Sequence, residues 1–212
     1  MNTLRVSRGL LPLKTSLTKT GAMISKLLCD ANLFYLLYLI DLDLAQQCRQ
    51  HRCPYCGSVL HFSRYTRKPR GGPANLPDEY KIRHSLCCSA ESCRRRILPA
   101  SCLFMGRRVY FSCVILVVMA LRQQRPKGAS IYKLQRIFDI DYKTICRWIA
   151  YFQKVFPSSA KWRSLQGLVC PNLDDKRLPG SLLAIFLKQI SDPQRALIAC
   201  LKFLAIQHVH GF

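Results

Sequence analysis

The chain has 212 residues and a formal net charge of +22, from 33 lysine and arginine residues against 11 aspartate and glutamate residues. Its length allows one or two domains with a modest core, and its charge predicts a polyanionic partner, with nucleic acid as the first candidate. The few acidic residues are mostly explained by turns and caps, which argues against the converging carboxylates that metal-dependent strand transfer requires.

The first 22 residues carry four basic side chains and no acidic one, the basic ones being Arg5, Arg8, Lys14 and Lys19. This composition resembles that of a transit peptide, but it lacks the long apolar core of a secretory signal. Met23 is an alternative natural start, and we favour it because the residues that follow have the pattern of folded protein. We therefore expect residues 1–27 to form a flexible N-terminal extension.

A helix is predicted to begin after Asp30, which suits the N-cap, and to end near Gln47. Its apolar residues recur at helical spacing and leave Asp41 off the buried stripe, which consists of Leu33, Leu36, Leu37, Ile40 and Leu44. The apolar run is too short, and its acidic residues come too soon, for a membrane span. Residues 28–50 are thus assigned to one packing helix.

Two groups of cysteines flank a basic loop in residues 51–106, which we assign to a zinc ribbon. The first group, Cys53 and Cys56 followed by Gly57, has the spacing of a tight turn that presents two thiolates. The second group contributes Cys88 and Cys93. Four such cysteines predict a tetrahedral structural Zn²⁺ site, whose binding energy, on the order of 10 kcal/mol, becomes folding energy.

The choice of Cys88 rests on strand periodicity. The segment 80–86 is predicted as a strand, on which side chains alternate between two faces. Cys88 shares its parity with Ile82 and Leu86, whereas Cys87 falls on the opposite face with Arg83 and Ser85. Because the spacer between Cys88 and Cys93 is longer than usual, Cys87 stays an alternative ligand. Disulfides or buried thiols are the other interpretation of these cysteines.

Seven further cysteines lie scattered, mostly in apolar or helical stretches, where a thiol usually behaves as a small hydrophobic side chain. Such cysteines indicate a reducing compartment. They are Cys29, Cys48, Cys102, Cys113, Cys146, Cys170 and Cys200.

Basic residues cluster around the ribbon. Its central loop, residues 64–73, combines arginines and a lysine with Tyr65 and with glycines that allow close approach to a phosphate, although a solvated mobile loop is an equal alternative. Arg94, Arg95 and Arg96 follow the second cysteine group, and we expect them to hold DNA phosphates, as we do Arg107 and Arg108.

The block from Val109 to Leu121 is apolar throughout and predicts a helix that is buried on most faces, because 13 residues fall short of a membrane span. A second, polar pair of helices follows. Ser130 caps a predicted helix from Ile131 to Phe138, and Asp141 caps another from Tyr142 to about Phe156.

The second of these helices carries the predicted DNA contacts. Its inner stripe, with Trp148 as a core anchor, consists of Ile145, Trp148, Ile149, Phe152 and Phe156. On the outer face, Arg147 can bond to guanine edges, whereas Lys143 and Thr144 suit phosphates. We therefore assign residues 107–157 to a helix-turn-helix domain with contact residues Tyr142, Lys143, Thr144 and Arg147.

Residues 158–212 are predicted to be a C-terminal helical segment. One amphipathic helix should run from Ser181 to Ile190, and Asp192 with Pro193 should start another. His208 and His210 near the end are expected to be exposed and not to bind a metal.

The motifs resemble the zinc ribbons of bacterial insertion-sequence transposases and their accessory proteins. The resemblance covers roughly residues 50–160 and is carried by Cys53-Pro54-Tyr55-Cys56-Gly57, by Cys88 and Cys93, and by Ser101-x-x-Phe104-x-Gly106-Arg107-Arg108. The helix pair is likewise similar to the helix-turn-helix of transposases and resolvases, in which the second helix enters the major groove. The wider second spacer and the long central loop depart from the family pattern.

These observations predict a mainly α protein with a small β zinc ribbon, a helix-turn-helix and C-terminal helices. Its expected function is that of a zinc-containing protein that binds double-stranded DNA, as an accessory or transposase-derived module of a mobile element. A transposase is an expected partner, no membrane is involved, and the location is the bacterial cytoplasm at the nucleoid. The alternatives are a zinc-ribbon RNA-binding protein and a truncated transposase with catalysis. We expect no enzyme activity, because about 55 residues after the helix pair are too few for an RNase-H-like domain.

Overall fold

A computed structural model describes residues 23–123, 128–169 and 173–205 of the chain. These residues are mainly helical and include two small antiparallel sheets, as the sequence predicts. The predicted extension at residues 1–22 lies outside the described residues, as do Cys170, His208 and His210. Residues 23–27, which the sequence assigns to the same extension, form a short helix, α1, whose Ile24 is buried in the core.

Helix α2 (Ala31–Gln50) begins as predicted, because the Asp30 carboxylate accepts a hydrogen bond from the N–H of Asn32 at 2.9 Å. Its buried face, however, is rotated from the predicted stripe. Leu36 is 38% exposed, and the buried residues are Leu33, Phe34, Leu37, Asp41 and Ala45. The rotation follows from two partners that periodicity does not reveal, namely the ring of Phe111 against Phe34 and a loop that bonds to Asp41.

The strands form two sheets, of which the first carries Cys87 and Cys88. In the first sheet β4 (Leu86–Cys88) lies between β1 (Leu60–Phe62) and β5 (Arg96–Ile97), and in the second β2 (Tyr65–Thr66) pairs with β3 (Ile82–Arg83). The predicted single strand at 80–86 is wrong. A 3₁₀ turn, Asp78–Lys81, is followed by β3 and β4, because the chain passes from one sheet to the other between them.

Helix α3 (Ser112–Gln123) is the centre of the helical core. All residues from Ser112 to Met119 are buried, as predicted for most of the apolar block. The helix begins three residues later than predicted, however, and Val109 is 52% exposed. Helices α4, α5, α7 and α8 pack around it. Within the described part of the chain, no helix is long and apolar enough to cross a membrane.

Helices α4 (Ile131–Phe138) and α5 (Tyr142–Ala150) are joined by three residues, as predicted. The Ser130 hydroxyl and the Asp141 carboxylate cap them, and each accepts a backbone N–H at 3.2 Å. The predicted continuation of α5 to Phe156 is a π-helical turn, Tyr151–Val155, rather than α-helix.

Four further segments complete the described residues, and α7 and α8 pack on each other and on α3. The predicted helix from Ser181 to Ile190 is present with its bounds shifted by one residue. The segments are α6 (Ala160–Gln166), a 3₁₀ turn (Asp175–Arg177), α7 (Gly180–Gln189) and α8 (Pro193–Ala205).

Asp41 is the residue whose role the sequence most clearly misses. The prediction placed it off the buried stripe, but it is 1% exposed. Its carboxylate accepts hydrogen bonds from the Ser101 hydroxyl and from the backbone N–H groups of Cys102 and Leu103, and so joins α2 to the loop before α3. Burial raises the pKa of Asp41 to about 6, against these hydrogen bonds, which lower it.

The raised pKa predicts a pH dependence that Asp41→Asn should remove. The pKa of Asp41 is about 6 in the folded protein, against the ordinary 3.8. Protonation of Asp41 therefore stabilises the fold fully below pH 3.8, and this stabilisation is lost as the pH rises through about 6. From about pH 4 to about pH 7, the free energy of unfolding of the wild type should fall by roughly 2 to 3 kcal/mol relative to Asp41→Asn.

Urea denaturation across this pH range measures the difference. Asp43→Asn, an exposed carboxylate on the same helix that accepts from Gln47, is the matched control and should follow the wild type. Parallel pH profiles for wild type and Asp41→Asn would contradict the assignment.

Candidate metal centre and basic surface

The structure brings four cysteine sulfurs together. The Sγ atoms of Cys53, Cys56, Cys88 and Cys93 all lie within 4.8 Å of one another. Cys56 Sγ is 3.4 Å from Cys88 Sγ, and Cys53 Sγ is 3.8 Å from Cys93 Sγ. Four sulfurs placed tetrahedrally at the usual 2.3 Å from a zinc ion are about 3.8 Å apart. The cluster therefore has the dimensions to hold a metal ion.

The first cysteine pair lies in a tight turn whose backbone closes on itself. The N–H of Gly57 donates to the carbonyl of Cys53 at 2.8 Å, and the N–H of Cys53 donates to the carbonyl of Ser58 at 2.9 Å. Gly57 has a φ of +71°, in the left-handed region that glycine adopts without strain. The glycine thus allows the turn that aims both sulfurs inward.

The second turn repeats this geometry, but the residue with positive φ is an arginine and not a glycine. The N–H of Arg94 donates to the carbonyl of Ala90 at 2.9 Å, and Arg94 has a φ of +44°. Cys93 precedes Arg94 as Cys56 precedes Gly57, so Ala90 occupies the place that Cys53 has in the first turn. The missing sulfur comes instead from Cys88, two residues earlier on β4, which explains the longer spacer.

Cys87 lies outside the cluster. Its side chain is half-buried, and its Sγ lies 3.7 Å from the carbonyl oxygen of Cys88 and 3.8 Å from that of Arg94. The predicted alternation of faces therefore holds at the end of β4, where Cys88 is 1% exposed and joins the other three sulfurs.

The remaining described cysteines do not form a second group of this kind. Three of them, Cys102, Cys113 and Cys200, are fully buried in the helical core, and burial raises the pKa of each thiol. Cys29, in contrast, is exposed.

The four clustered thiols differ in how readily they ionise. Hydrogen bonds from the side chain and backbone of Ser58 lower the pKa of Cys56 to about 6, whereas burial raises the pKa of Cys88 to about 12. Metal ligands must be deprotonated, and a divalent cation supplies the positive charge that stabilises the buried thiolate. Four thiolates suit soft metal ions.

The predicted DNA contacts on α5 lie at the surface. Tyr142, Lys143 and Arg147 are exposed, and Thr144 is half-buried beside the capping carboxylate of Asp141. The ring of Tyr142 stacks on Tyr132 of α4 at 5.7 Å, and Tyr132 is 72% exposed. Tyr132 was not predicted as a site residue, because it falls on the first helix of the pair.

A groove of about 840 Å³ runs beside α5 and brings four arginines together, namely Arg70, Arg107, Arg108 and Arg147. Two acidic residues, Asp139 and Asp141, also line it. Arg107, Arg108 and Arg147 were all predicted as DNA contacts, and the structure places them on one surface. Arg70 was expected only as part of the central basic loop.

Arg70 reaches the groove because the central loop docks against the start of α3. The backbone of Arg70 exchanges hydrogen bonds with Val109 and Phe111 at 2.9 and 3.2 Å. Gly71 and Gly72 allow this approach, since a Cβ at either position would lie within 3.0 Å of core side chains. The loop is therefore packed at these residues, contrary to the alternative of a solvated mobile loop.

The three arginines after the second cysteine pair do not form one cluster. Arg94 lies 3.8 Å from the carboxylate of Glu91, and the guanidinium of Arg95 lies over the ring of Tyr55 at 4.1 Å. Arg96 lines a separate cavity that it shares with Arg107 and Arg108.

Most of the basic side chains that the structure describes form no ion pair. Among the described residues the ion pairs are Lys81–Asp78, Arg94–Glu91, Arg177–Asp174 and Arg195–Asp192, each between residues three apart on an exposed segment. The four arginines of the groove take part in none of these ion pairs.

Comparison of the chain with protein-family models, with curated proteins and with solved structures finds no match.

Cysteine substitutions should show which sulfurs hold the metal. We expect Cys88→Ser to lose bound metal and cooperative unfolding, because it removes one of the four clustered thiolates, while Cys87→Ser keeps both. Dialysis against Zn²⁺ followed by elemental analysis measures the stoichiometry, and circular dichroism follows unfolding. Full metal retention in Cys88→Ser, with loss in Cys87→Ser, would reverse the assignment.

The two turns predict opposite effects of glycine. Arg94→Gly should stabilise the metal-loaded protein by about 1 kcal/mol, because it relieves a positive φ in a residue with a side chain. Gly57→Ala should destabilise it by about 1 kcal/mol through the backbone alone, since a Cβ there meets no atom within 4 Å.

Urea unfolding of the metal-loaded variants checks both values. Arg95→Gly, the neighbouring arginine outside the left-handed region, is the control for the first variant and should give no gain. A loss of stability in Arg94→Gly equal to that in Arg95→Gly would disprove the backbone explanation.

Proposed function

We propose that the chain is a zinc-binding protein that recognises double-stranded DNA. The observation that carries the proposal is the groove beside α5, where Arg147 stands at the edge of an exposed helix face and Arg70, Arg107 and Arg108 line the same surface. Nucleic acid is the polyanion that binds most strongly to a surface on which several arginines lie together.

Zinc is the metal that the cysteine cluster suits best. Four cysteines at tetrahedral spacing, with no sulfur position left open, are typical of structural zinc rather than of catalytic zinc. The hydrophobic cluster around them is small, with four buried residues, Cys53, Leu60, Leu86 and Cys88, and five partly buried ones. So little apolar surface does not hold two turns together in water, and in this proposal the metal supplies that energy as a zinc ribbon.

Helices α4 and α5 act in this proposal as a helix-turn-helix, with α5 in the major groove. Their three-residue connection contains Asp139 at a φ of +49°, which turns the chain sharply between two capped helices. Ile145 and Trp148 anchor α5 in the core, and Trp148 packs edge-on against Tyr110 at 5.1 Å. This anchoring fixes the direction in which Arg147 points. A guanidinium at that place can bond to the N7 and O6 atoms of guanine.

The arginines across the groove would hold the phosphates that flank the base contact. Arg108 is held in place by the ring of Tyr151, 3.9 Å from its guanidinium carbon, while Arg107 is exposed. Contacts of this type position a protein on DNA without reading sequence.

A binding role fits the acidic residues better than catalysis does. Among the described residues, the cysteine cluster is the only group of three or more side chains that could share a metal ion. In this proposal the binding activity serves a mobile element, with a transposase as partner and the bacterial nucleoid as location; the support for it is the resemblance of the motifs to those of insertion-sequence proteins.

One observation favours a second candidate, an RNA-binding protein. The stacked and exposed rings of Tyr132 and Tyr142 could receive unpaired bases, which single-stranded RNA offers and duplex DNA does not.

Fluorescence anisotropy with duplex DNA tests the proposal. Arg147→Ala should relax the preference at one base pair by about 1 to 3 kcal/mol, because it removes a base contact. Arg107→Ala should weaken binding to all sequences alike and reduce the slope of log K against log salt by about 0.9, the value for one phosphate contact.

Lys188→Ala on α7 is the matched charge control, since Lys188 is exposed and lines neither the groove nor the cavity beyond Arg107. Binding that favours single-stranded RNA and depends on Tyr132 rather than on Arg147 would replace the DNA proposal by the second candidate.

A further inference from the structure

A second cavity, of about 460 Å³, shares Arg107 and Arg108 with the groove. Its lining residues come from strands β2, β3 and β5, the loop before α3, the first residue of α3, the π-helical turn, α6 and α8. Its lining has five basic residues, Arg83, Arg96, Arg107, Arg108 and Lys161, and no acidic residue among those that the structure describes. A cavity of this composition attracts a small anion.

Ser112 supplies an observation that is independent of the charge. It is the first residue of the twelve-residue helix α3, lines the cavity and is 2% exposed. Its hydroxyl has no hydrogen-bond partner within the described part of the chain. A buried hydroxyl without a partner is costly, so this one is a free donor for a ligand. The positive end of the α3 dipole favours an anionic ligand at the same place.

The cations around Ser112 are held in position before any ligand arrives. Arg108 stacks on Tyr151 and donates to the carbonyl of Met105 at 3.3 Å, and Arg83 donates to the carbonyls of His84 and Pro99. Lys161 is half-buried and makes no ion pair with a described carboxylate, and burial lowers its pKa. An anion in the cavity would compensate this loss of hydration.

We propose that this cavity binds a phosphate group, with Lys161 and Arg108 meeting its charge and the Ser112 hydroxyl donating to one of its oxygens. A phosphate offers several acceptor oxygens in a tetrahedral arrangement and up to two negative charges, which suit the donors that line the cavity from α3, α6 and the loop. A carboxylate, with two oxygens and one charge, would leave most of these donors unmet.

The source of the phosphate is a separate question. Arg107 and Arg108 line both the cavity and the groove, so a DNA strand bound in the groove could place one of its phosphates in the cavity. The assignment to a DNA strand rests on the proposed function, whereas the chemistry of the cavity does not. The other source is a free phosphate compound.

Inorganic phosphate tests the cavity without DNA. With ionic strength held constant by chloride, phosphate should raise the melting temperature of the full chain in a saturable manner. Lys161→Gln should weaken the apparent affinity at least about tenfold, and Ser112→Ala by roughly fivefold, since each removes one donor. Lys188→Gln, which changes the same charge on a remote surface, should match the wild type.

Ser112→Ala keeps the test decisive if Lys161→Gln fails to fold, because removing an unpaired hydroxyl should not destabilise the core. Equal phosphate affinities in wild type, Lys161→Gln and Ser112→Ala would overturn the proposal, as would no phosphate effect on the wild type.

Duplex DNA with and without a 5′-terminal phosphate then separates the sources. If the wild type prefers the duplex with the 5′-terminal phosphate and Ser112→Ala loses this preference, a strand end lies in the cavity. If Ser112→Ala binds both duplexes equally more weakly than the wild type does, a backbone phosphate lies there. Unchanged DNA affinity in Ser112→Ala, alongside impaired binding of inorganic phosphate, assigns the site to a free phosphate compound. If the wild type binds no DNA, the proposed function fails while the result with inorganic phosphate still stands.

Discussion

The hydrogen bonds of the buried Asp41 carboxylate determine how the two parts of this molecule meet. The three-stranded sheet that carries Cys88 and the helical core belong to separate hydrophobic clusters. Asp41, on the helix that precedes the cysteines, binds the loop that follows them, at Ser101, Cys102 and Leu103. This contact fixes where α3 begins. It therefore also fixes the turn just before that helix, which carries Arg107 and Arg108.

Further polar contacts strengthen the connection. Arg67 of the central loop donates to the carbonyls of Gly106 and Arg108 at 2.8 and 2.7 Å, and its guanidinium lies 5.0 Å from the centre of the Phe104 ring. Such bonds are directional, so they set an orientation more strictly than apolar packing over the same small area would. The groove and the cavity both lie along this junction, which is why their shapes depend on side chains from distant parts of the chain.

The sequence predicts those features that local physics determines. The apolar run of α3, the capping residues Ser130 and Asp141, and the parity of Cys88 each act within one element, and each appears in the structure. The rotated face of α2 could not be predicted, because helical spacing defines a stripe but not the partner that selects it. Sequence patterns could not predict the cavity for a similar reason, because Arg83, Ser112 and Lys161 line one cavity only after the chain has folded. DNA recognition and the identity of the metal stay predictions.

The separation of the two hydrophobic clusters has a consequence for dynamics. Elements with their own small core open independently of the rest, at a lower free energy than global unfolding. Residues of the cysteine-bearing sheet should therefore exchange their amide hydrogens faster than α3 when the cluster holds no metal, while α5, anchored by Trp148, keeps its place. Loss of metal would then loosen the sheet that carries Arg96 without displacing the helix that carries Arg147.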